Sequence, residues 1–162
     1  MTSDDTYRKL TTLLDERGAA YRVMEHPPEG NTEAVSLHAG YDQRQAAKCI
    51  VVMVKVGKKE TRYAAIVLPG PKRVDFAKVK ALFGGTYASF APREVAEELA
   101  GCPVGSIPPF SFDERLTLVV DPEVLQHPEV FFNAARLDRS IGLATKDYEM
   151  IAQPQVEAIS QT

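Results

Sequence analysis

The chain is poor in the residues that mark several protein classes. It has two cysteines and three histidines in 162 residues. Cys49 and Cys102 lie outside any CxxC spacing, which speaks for free thiols in a reducing compartment rather than a disulfide framework. Cys102 follows a glycine and precedes a proline, so it is either an accessible thiol or a small residue packed under a loop. His26, His38 and His127 show no ligand spacing, and no metal site is expected. No apolar run approaches the roughly 18 residues of a membrane span. The run Cys49–Val54 stops at Lys55. The acidic opening MTSDD lacks an apolar core, so no secretory signal is expected and the setting reads as cytoplasmic and soluble. Also missing are GxSxG, Walker, GxGxxG and HExxH signatures. Ser106 and Ser111 have no histidine at local spacing, so a hydrolase built on this chain would not use a Ser–His–Asp triad.

What is present suits one globular domain over residues 1–162, with a polar tail from about residue 153. The composition is 44% hydrophobic and 25% charged. A chain of this length buries about two-thirds of its unfolded surface and needs no covalent staple. Net charge is −3, which argues against a DNA-coating protein, but the charge is uneven. Between Arg44 and Lys80, ten lysines and arginines face two acids, a local +8 against −11 elsewhere. Either a polyanion docks there, or a hairpin tip carries solubilising charge.

Helix and strand periods alternate along the chain. Asp4 or Asp5 is placed to cap a helix through Leu10, Leu13 and Leu14 to Gly18. Tyr21–His26 reads as a short strand, and Asn31 or Thr32 caps a second helix ending at Gly40. The run Lys48–Val56 is apolar and β-branched, a strand buried on both faces. Gly57–Glu60 turns it into a returning arm, Thr61–Leu68. Asp75 caps a helix to Gly84-Gly85; after the strand Thr86–Phe90, Pro92 opens another helix as a first-turn proline. Residues 101–112 cannot be helical, and strands at Leu116–Val120, Val130–Asn133 and Ser140–Leu143 precede a last helix, Lys146–Ile151. The class is α/β or α+β, a mixed sheet flanked by helices.

Two features remain unusual. Lys48 opens a strand expected to be buried, where lysine is rare without a partner; it either snorkels to solvent or serves a site. The loop Gly105-Ser106-Ile107-Pro108-Pro109-Phe110 is either a plain connection or a rigid presentation of backbone N–H groups able to hold a carbonyl oxygen or phosphate.

Five segments in one order resemble the YbaK/EbsC (ProX-like) family, stand-alone relatives of the editing domain inserted in bacterial prolyl-tRNA synthetases. They are Asn31–Gly40, Ala47–Val52, Val74-Asp75 with Lys78–Phe83, Gly105–Phe110 and Phe132–Ser140, and the likeness runs over about residues 5–152. It implies a curled mixed β-sheet flanked by helices and an aminoacyl-tRNA deacylase. The family's strand lysine falls on Lys48, and its G-x-x-P-F loop on Gly105, Pro108 and Phe110. The chain departs at Ser106, Pro108 and Ser111, where many members carry Gly, Ser or Thr, and Gly, changes that bear on amino-acid specificity.

The implied chemistry needs no cofactor. An aminoacyl ester is already activated, so positioning and electrostatics can hydrolyse it without a protein nucleophile. The resemblance implies that amides near Gly105 and Ser106 hold the ester carbonyl. It also implies that Lys48 grips the terminal phosphate or ribose, or polarises the carbonyl. Water, a ribose hydroxyl or the substrate's own side chain would attack. Asn31, Thr32, Glu33, Pro108 and Phe110 would line a size-selective pocket, where one methylene is worth about 1–3 kcal/mol. Lys55, Lys58, Lys59, Arg62, Lys72 and Arg73 would meet acceptor-stem phosphates. The expected partner is a mischarged tRNA, with prolyl-tRNA synthetase as a candidate second one, and neither membrane nor DNA. Two other readings stay open: a non-catalytic tRNA- or synthetase-binding module, and a small-molecule or nucleotide-binding protein.

Overall fold

A computed structural model describes residues 2–162. In chain order the elements are α1 (Ser3–Glu16), β1 (Tyr21–Glu25), α2 (Thr32–Ala39), β2 (Ala47–Val56), β3 (Glu60–Pro69), α3 (Phe76–Leu82) and β4 (Tyr87–Phe90). They continue with α4 (Arg93–Ala100), β5 (Leu116–Val120), β6 (Glu129–Arg136), β7 (Arg139–Ala144), α5 (Thr145–Ala152) and β8 (Gln155–Val156). Short 3-10 turns lie at Gln43–Gln45 and Pro122–Gln126. The fold is mixed α/β, and its strands form two sheets. One has the order β1-β7-β6 and the other β4-β2-β3-β5-β8, antiparallel around the β2–β3 hairpin and parallel from β3 through β5 to β8. The sheets meet at a bridge between Ala46 and Phe131.

The β2–β3 hairpin is apolar because both its faces are covered. Cys49, Val51, Ala65 and Val67 join the core that includes Leu10, Leu14, Leu99 and Tyr148. Their neighbours Val52, Val54, Ala64, Ile66 and Leu68 join a second core with Val79 and Ile159. Alternate residues of one strand thus feed two cores, which is why the run lacks a polar alternation.

Three sequence expectations need correcting. The cap of α1 is Thr2, not Asp4 or Asp5: Thr2 Oγ1 accepts from the Asp5 amide at 3.1 Å, and Asp5 accepts in return from the Thr2 amide at 3.2 Å. This reciprocal box satisfies two donors that a lone aspartate cap would not. Pro92 occupies the N-cap position of α4 rather than its first helical turn. The segment after 153 is woven into the fold instead of trailing as a polar tail. Its β8 pairs with β5, Ser160 bridges Val74, and Ile159 is 1% exposed.

Strand β6 carries a bulge between Asn133 and Arg136, where Ala135 takes φ +65°. A left-handed conformation at a residue bearing a Cβ costs on the order of 1–3 kcal/mol, held here by the surrounding packing. Among the described residues no helix is long and apolar enough to cross a membrane.

Candidate active site

A cavity of about 350 Å³ opens where the start of β2 faces α2, β6 and the 101–112 loop. Lys48, Gly105, Thr32, Asn133, Phe90 and Arg93 are among its lining residues, with aliphatic walls from Val35, Ile50 and Ile107.

Lys48 is half-buried at the open end of the β2–β3 ladder. Its Nζ donates to the carbonyls of Gly70 at 3.0 Å and Lys72 at 2.5 Å. An ammonium has three donors, so one remains for a ligand. Desolvation, with a smaller push from the Arg73 charge, holds its pKa below the ordinary lysine value. The turn that supplies the two carbonyls requires glycine at position 70. A Cβ there would sit 2.4 Å from the Gln43 carbonyl oxygen and 2.9 Å from Thr32 Cγ2.

Gly105 adopts φ +94°, and a Cβ on it would come 3.0 Å from Gly30 Cα. Its carbonyl accepts from Asn133 Nδ2 at 2.8 Å. Its amide donates to no group among the described residues. The neighbouring Ser106 is wholly buried, and both its amide (3.0 Å) and its hydroxyl (2.6 Å) donate to the Pro103 carbonyl. Ser106 therefore shapes the loop and has no free donor to offer.

The other sequence-picked residues scatter. Thr32 lines the cavity, whereas Asn31 caps α2 through a 3.0 Å bond to the Ala34 amide, and Glu33 is exposed away from the lining. Pro108 and Phe110 lie behind the wall. Phe110 packs edge-to-face on Phe132 and Tyr148, with ring centroids 5.9 and 5.3 Å away. Lys72 and Arg73 belong to the turn that holds Lys48. Lys58 and Lys59 occupy the hairpin tip, ten β-strand residues on, about 30 Å away at ~3.3 Å per residue. Lys55 and Arg62 lie toward that same end, and Arg62 pairs with Glu60 at 2.8 Å.

Sequence reasoning missed Asn133, Tyr41, Phe90 and Arg93. Asn133 had a signal, a lone amide inside the apolar strand VFFNAA. Tyr41 stacks on Phe131 with centroids 4.4 Å apart, and burial pushes its phenol up to about 12. Phe90 is 59% exposed at the cavity rim, beside the exposed Arg93. Burial pushes the Cys102 thiol up to about 11 and that of Cys49 higher still. Neither is poised as a thiolate nucleophile at neutral pH. Among the described residues no cluster of three His, Cys, Asp or Glu side chains is placed to hold a metal.

The chain is thus a small α/β domain whose cavity is lined by a carbonyl-clamped lysine and by a loop glycine with an amide that has no partner among the described residues. The family model described as the aminoacyl-tRNA editing domain matches residues 26–151, and the chain belongs to that family. It is 39% identical over 158 residues to the multifunctional Ser/Thr-tRNA deacylase ProXp-y of Escherichia coli (strain K12), covering 97% of this chain and 94% of that protein. It is 31% identical over 115 residues to the proline–tRNA ligase of Geobacillus sp. (strain WCH70), covering 71% of this chain but 20% of the ligase. In structure it is similar to a hypothetical protein, with a TM-score of 0.83, 23% identity and coverage of 94% and 99%. It is also similar to a candidate trans-editing enzyme for prolyl tRNA synthetase, with a TM-score of 0.79, 24% identity and coverage of 97% and 98%. At these identities the two structures speak to the fold.

Proposed function

We propose that this chain is a trans-acting aminoacyl-tRNA deacylase that hydrolyses the ester of a tRNA mischarged with a small amino acid. The observation that carries the reading is that Lys48 and Gly105, whose amide has no partner among the described residues, line one small cavity with aliphatic walls. Serine and threonine are the first amino acids to test, given the relative described as a Ser/Thr-tRNA deacylase.

In this mechanism the Gly105 N–H receives the developing oxyanion of the ester carbonyl. One such preorganised donor contributes about 10²–10³ in rate. The remaining Lys48 donor holds the terminal ribose or phosphate, or adds to the polarisation of the carbonyl. Thr32 and the aliphatic lining bound the amino-acid side chain. The attacking oxygen comes from water, a ribose hydroxyl or a substrate hydroxyl, each workable because the ester is activated. Ser106, Asn31, Pro108 and Phe110 support these groups, while Glu33 lies at the outer surface. Lys72, Arg73 and the hairpin-tip cations form the phosphate-facing side. The setting is the cytoplasm, the partner is mischarged tRNA rather than DNA, and a prolyl-tRNA synthetase is a second candidate partner.

The test is release of labelled amino acid from a panel of Ser-, Thr-, Ala- and Cys-charged tRNAs, with uncharged tRNA as a binding control. Faster deacylation of at least one mischarged species than its spontaneous decay is expected. Equal binding of charged and uncharged tRNA, with every ester surviving its spontaneous lifetime, would make the chain a binding module.

A further inference from the structure

The Gly105 loop is held from behind by a buried hydrogen-bond relay. Asn133 and Ser140 are direct cross-strand partners in the β6–β7 ladder. Asn133 Nδ2 donates to the carbonyls of Gly105 at 2.8 Å and Glu29 at 3.1 Å. Its side chain thus staples together the two segments, 29–30 and 105, whose glycines touch. Ser140 is wholly buried, and its hydroxyl lies 2.9 Å from Asn133 Oδ1. His26, 9% exposed, places Nε2 2.8 Å from the same hydroxyl. Just beyond, the bulge of β6 lets the Ala135 amide donate to the Ser106 carbonyl at 2.8 Å, fixing the next peptide of the loop.

Proton bookkeeping sets the direction of the Asn133 bonds. Both hydrogens of the Asn133 amide are spent on carbonyls, which can only accept, so the amide cannot be flipped. Oδ1 therefore faces Ser140, and the single hydroxyl proton of Ser140 goes to it. Nε2 of His26 meets the same hydroxyl, and Nδ1 lies 2.9 Å from the Pro27 carbonyl, so the ring is held at both nitrogens. The chain of contacts runs from His26 through Ser140 and Asn133 to the Gly105 carbonyl, one rotatable bond pair away from the Gly105 N–H in the preceding peptide.

We propose that Asn133, oriented by Ser140 and His26, is the positioning residue that aims the Gly105 N–H into the cavity. The kinetic part of this proposal rests on the deacylase reading; the structural part does not. Asn133→Asp keeps the shape but sets a carboxylate against two carbonyls. His26→Leu removes the ring contact with Ser140, whereas His26→Gln returns a polar amide near the place of Nε2. Ser140→Ala cuts the relay in the middle and serves if Asn133→Asp fails to fold.

The experiment reads the Gly105 amide by ¹H–¹⁵N spectroscopy and solvent exchange, with Gly57 as a distant control, alongside kcat and KM for a mischarged tRNA that the parent protein cleaves. In Asn133→Asp, Ser140→Ala and His26→Leu the Gly105 resonance should move and its exchange quicken, with Gly57 unchanged. kcat should fall by about 10- to 100-fold with KM within about twofold, as expected for a misplaced transition-state donor. His26→Gln should recover most of kcat and the parental Gly105 resonance. An unmoved Gly105 resonance in folded Asn133→Asp or Ser140→Ala would overturn the proposal, as would equal losses in His26→Leu and His26→Gln. If the parent protein cleaves no mischarged tRNA, the deacylase reading fails, and the Gly105 resonance alone still decides whether the relay positions the loop.

Discussion

The ammonium of Lys48 donates to the carbonyl of Gly70 at 3.0 Å, so the lysine is held by the turn that follows its own hairpin partner. Together with the bond to the Lys72 carbonyl, this fixes a flexible side chain at the mouth of the cavity. Preorganisation of this kind spares the rotamer entropy that binding would otherwise cost.

The first prediction follows from that clamp. Lys48→Ala should lower kcat/KM for deacylation by at least about 100-fold, near 2.7 kcal/mol, while the fold is retained. Lys48→Arg should rescue little, because a planar guanidinium cannot match the tetrahedral donors between two carbonyls and a ligand. Gly70→Ala should mimic part of the loss, since the added Cβ would meet the Gln43 carbonyl at 2.4 Å and displace the turn. Parental turnover in Lys48→Ala would remove the lysine from the mechanism.

A second prediction concerns pH. Desolvation first, and the Arg73 charge second, hold the Lys48 pKa below its ordinary 10.5. Its charged form is therefore lost, as pH rises, earlier than for an exposed lysine, and kcat should fall on an alkaline limb below that value. The stability term has the opposite sign. The unfolded chain binds this proton more tightly, so the fold gains stability between the depressed value and 10.5. Arg73→Met should move the alkaline limb of kcat upward. Rates from about pH 7 to about pH 10, corrected for spontaneous ester hydrolysis, give the answer. A limb unmoved by Arg73→Met would mean that another group titrates.

Much of this was legible in the sequence, for reasons that can be named. The hairpin announces itself because two cores demand apolar residues on both faces of β2 and β3, and a GKKE turn can only be exposed. Asn31 and Asp75 announce α2 and α3 because short acceptor side chains are what helix starts require. Lys48 stood out as a cation at the edge of that apolar run. Ser106 was expected to lend its amide to an ester carbonyl, and nothing in the sequence shows that the Pro103 carbonyl takes both its donors. Asn133, Ser140 and His26 meet through the pairing of β6 and β1 with β7, so no sequence spacing could have joined them. The last ten residues hid for the same reason, since β8 spans two residues and its anchor, Asp121, lies more than thirty positions earlier.

The third prediction separates two sets of cations. Lys72 and Arg73 flank the Lys48 clamp, while Lys58 and Lys59 lie at the hairpin tip about 30 Å away. If both sets meet the acceptor arm, activity at subsaturating tRNA should fall steeply with salt, and each lost phosphate contact should flatten the log–log slope by about 0.7–0.9. Reversal of Lys72 and Arg73 to Glu should raise KM more than reversal of Lys58 and Lys59, because phosphates near the reacting end are the better ordered. Assays between about 50 and 300 mM salt resolve the two contributions. A flat profile with unchanged KM in both pairs would make the basic face a solvated surface and send tRNA elsewhere.

The last prediction concerns the C-terminal segment, which one buried carboxylate ties to the chain next to the Lys48 turn. Asp121, 3% exposed, accepts from the amides of Glu123, Ile159 and Ser160 and from the Ser160 hydroxyl at 2.7 Å. From there the segment runs to residues 73–75: the Asp75 amide donates to the Ile159 carbonyl at 2.8 Å, and the Gln161 amide to the Arg73 carbonyl at 2.8 Å. Those residues directly follow Lys72, whose carbonyl holds Lys48. Asp121→Ala should therefore cost about 2–4 kcal/mol in denaturant unfolding, because it strands several buried donors. It should also lower kcat, because the turn that clamps Lys48 loses its backing. Burial alone would raise the Asp121 pKa, but the hydrogen bonds outweigh it and hold the carboxyl below the ordinary aspartate value of 3.8. Its stabilisation is fully present above that value and is lost as pH falls through the depressed one. Asp121→Asn should accordingly flatten the acid limb of the stability profile. Unfolding midpoints across the acid range, read with deacylation rates at neutral pH, test both halves. A variant that unfolds more easily yet keeps parental kcat would confine Asp121 to stability and cut the link to Lys48.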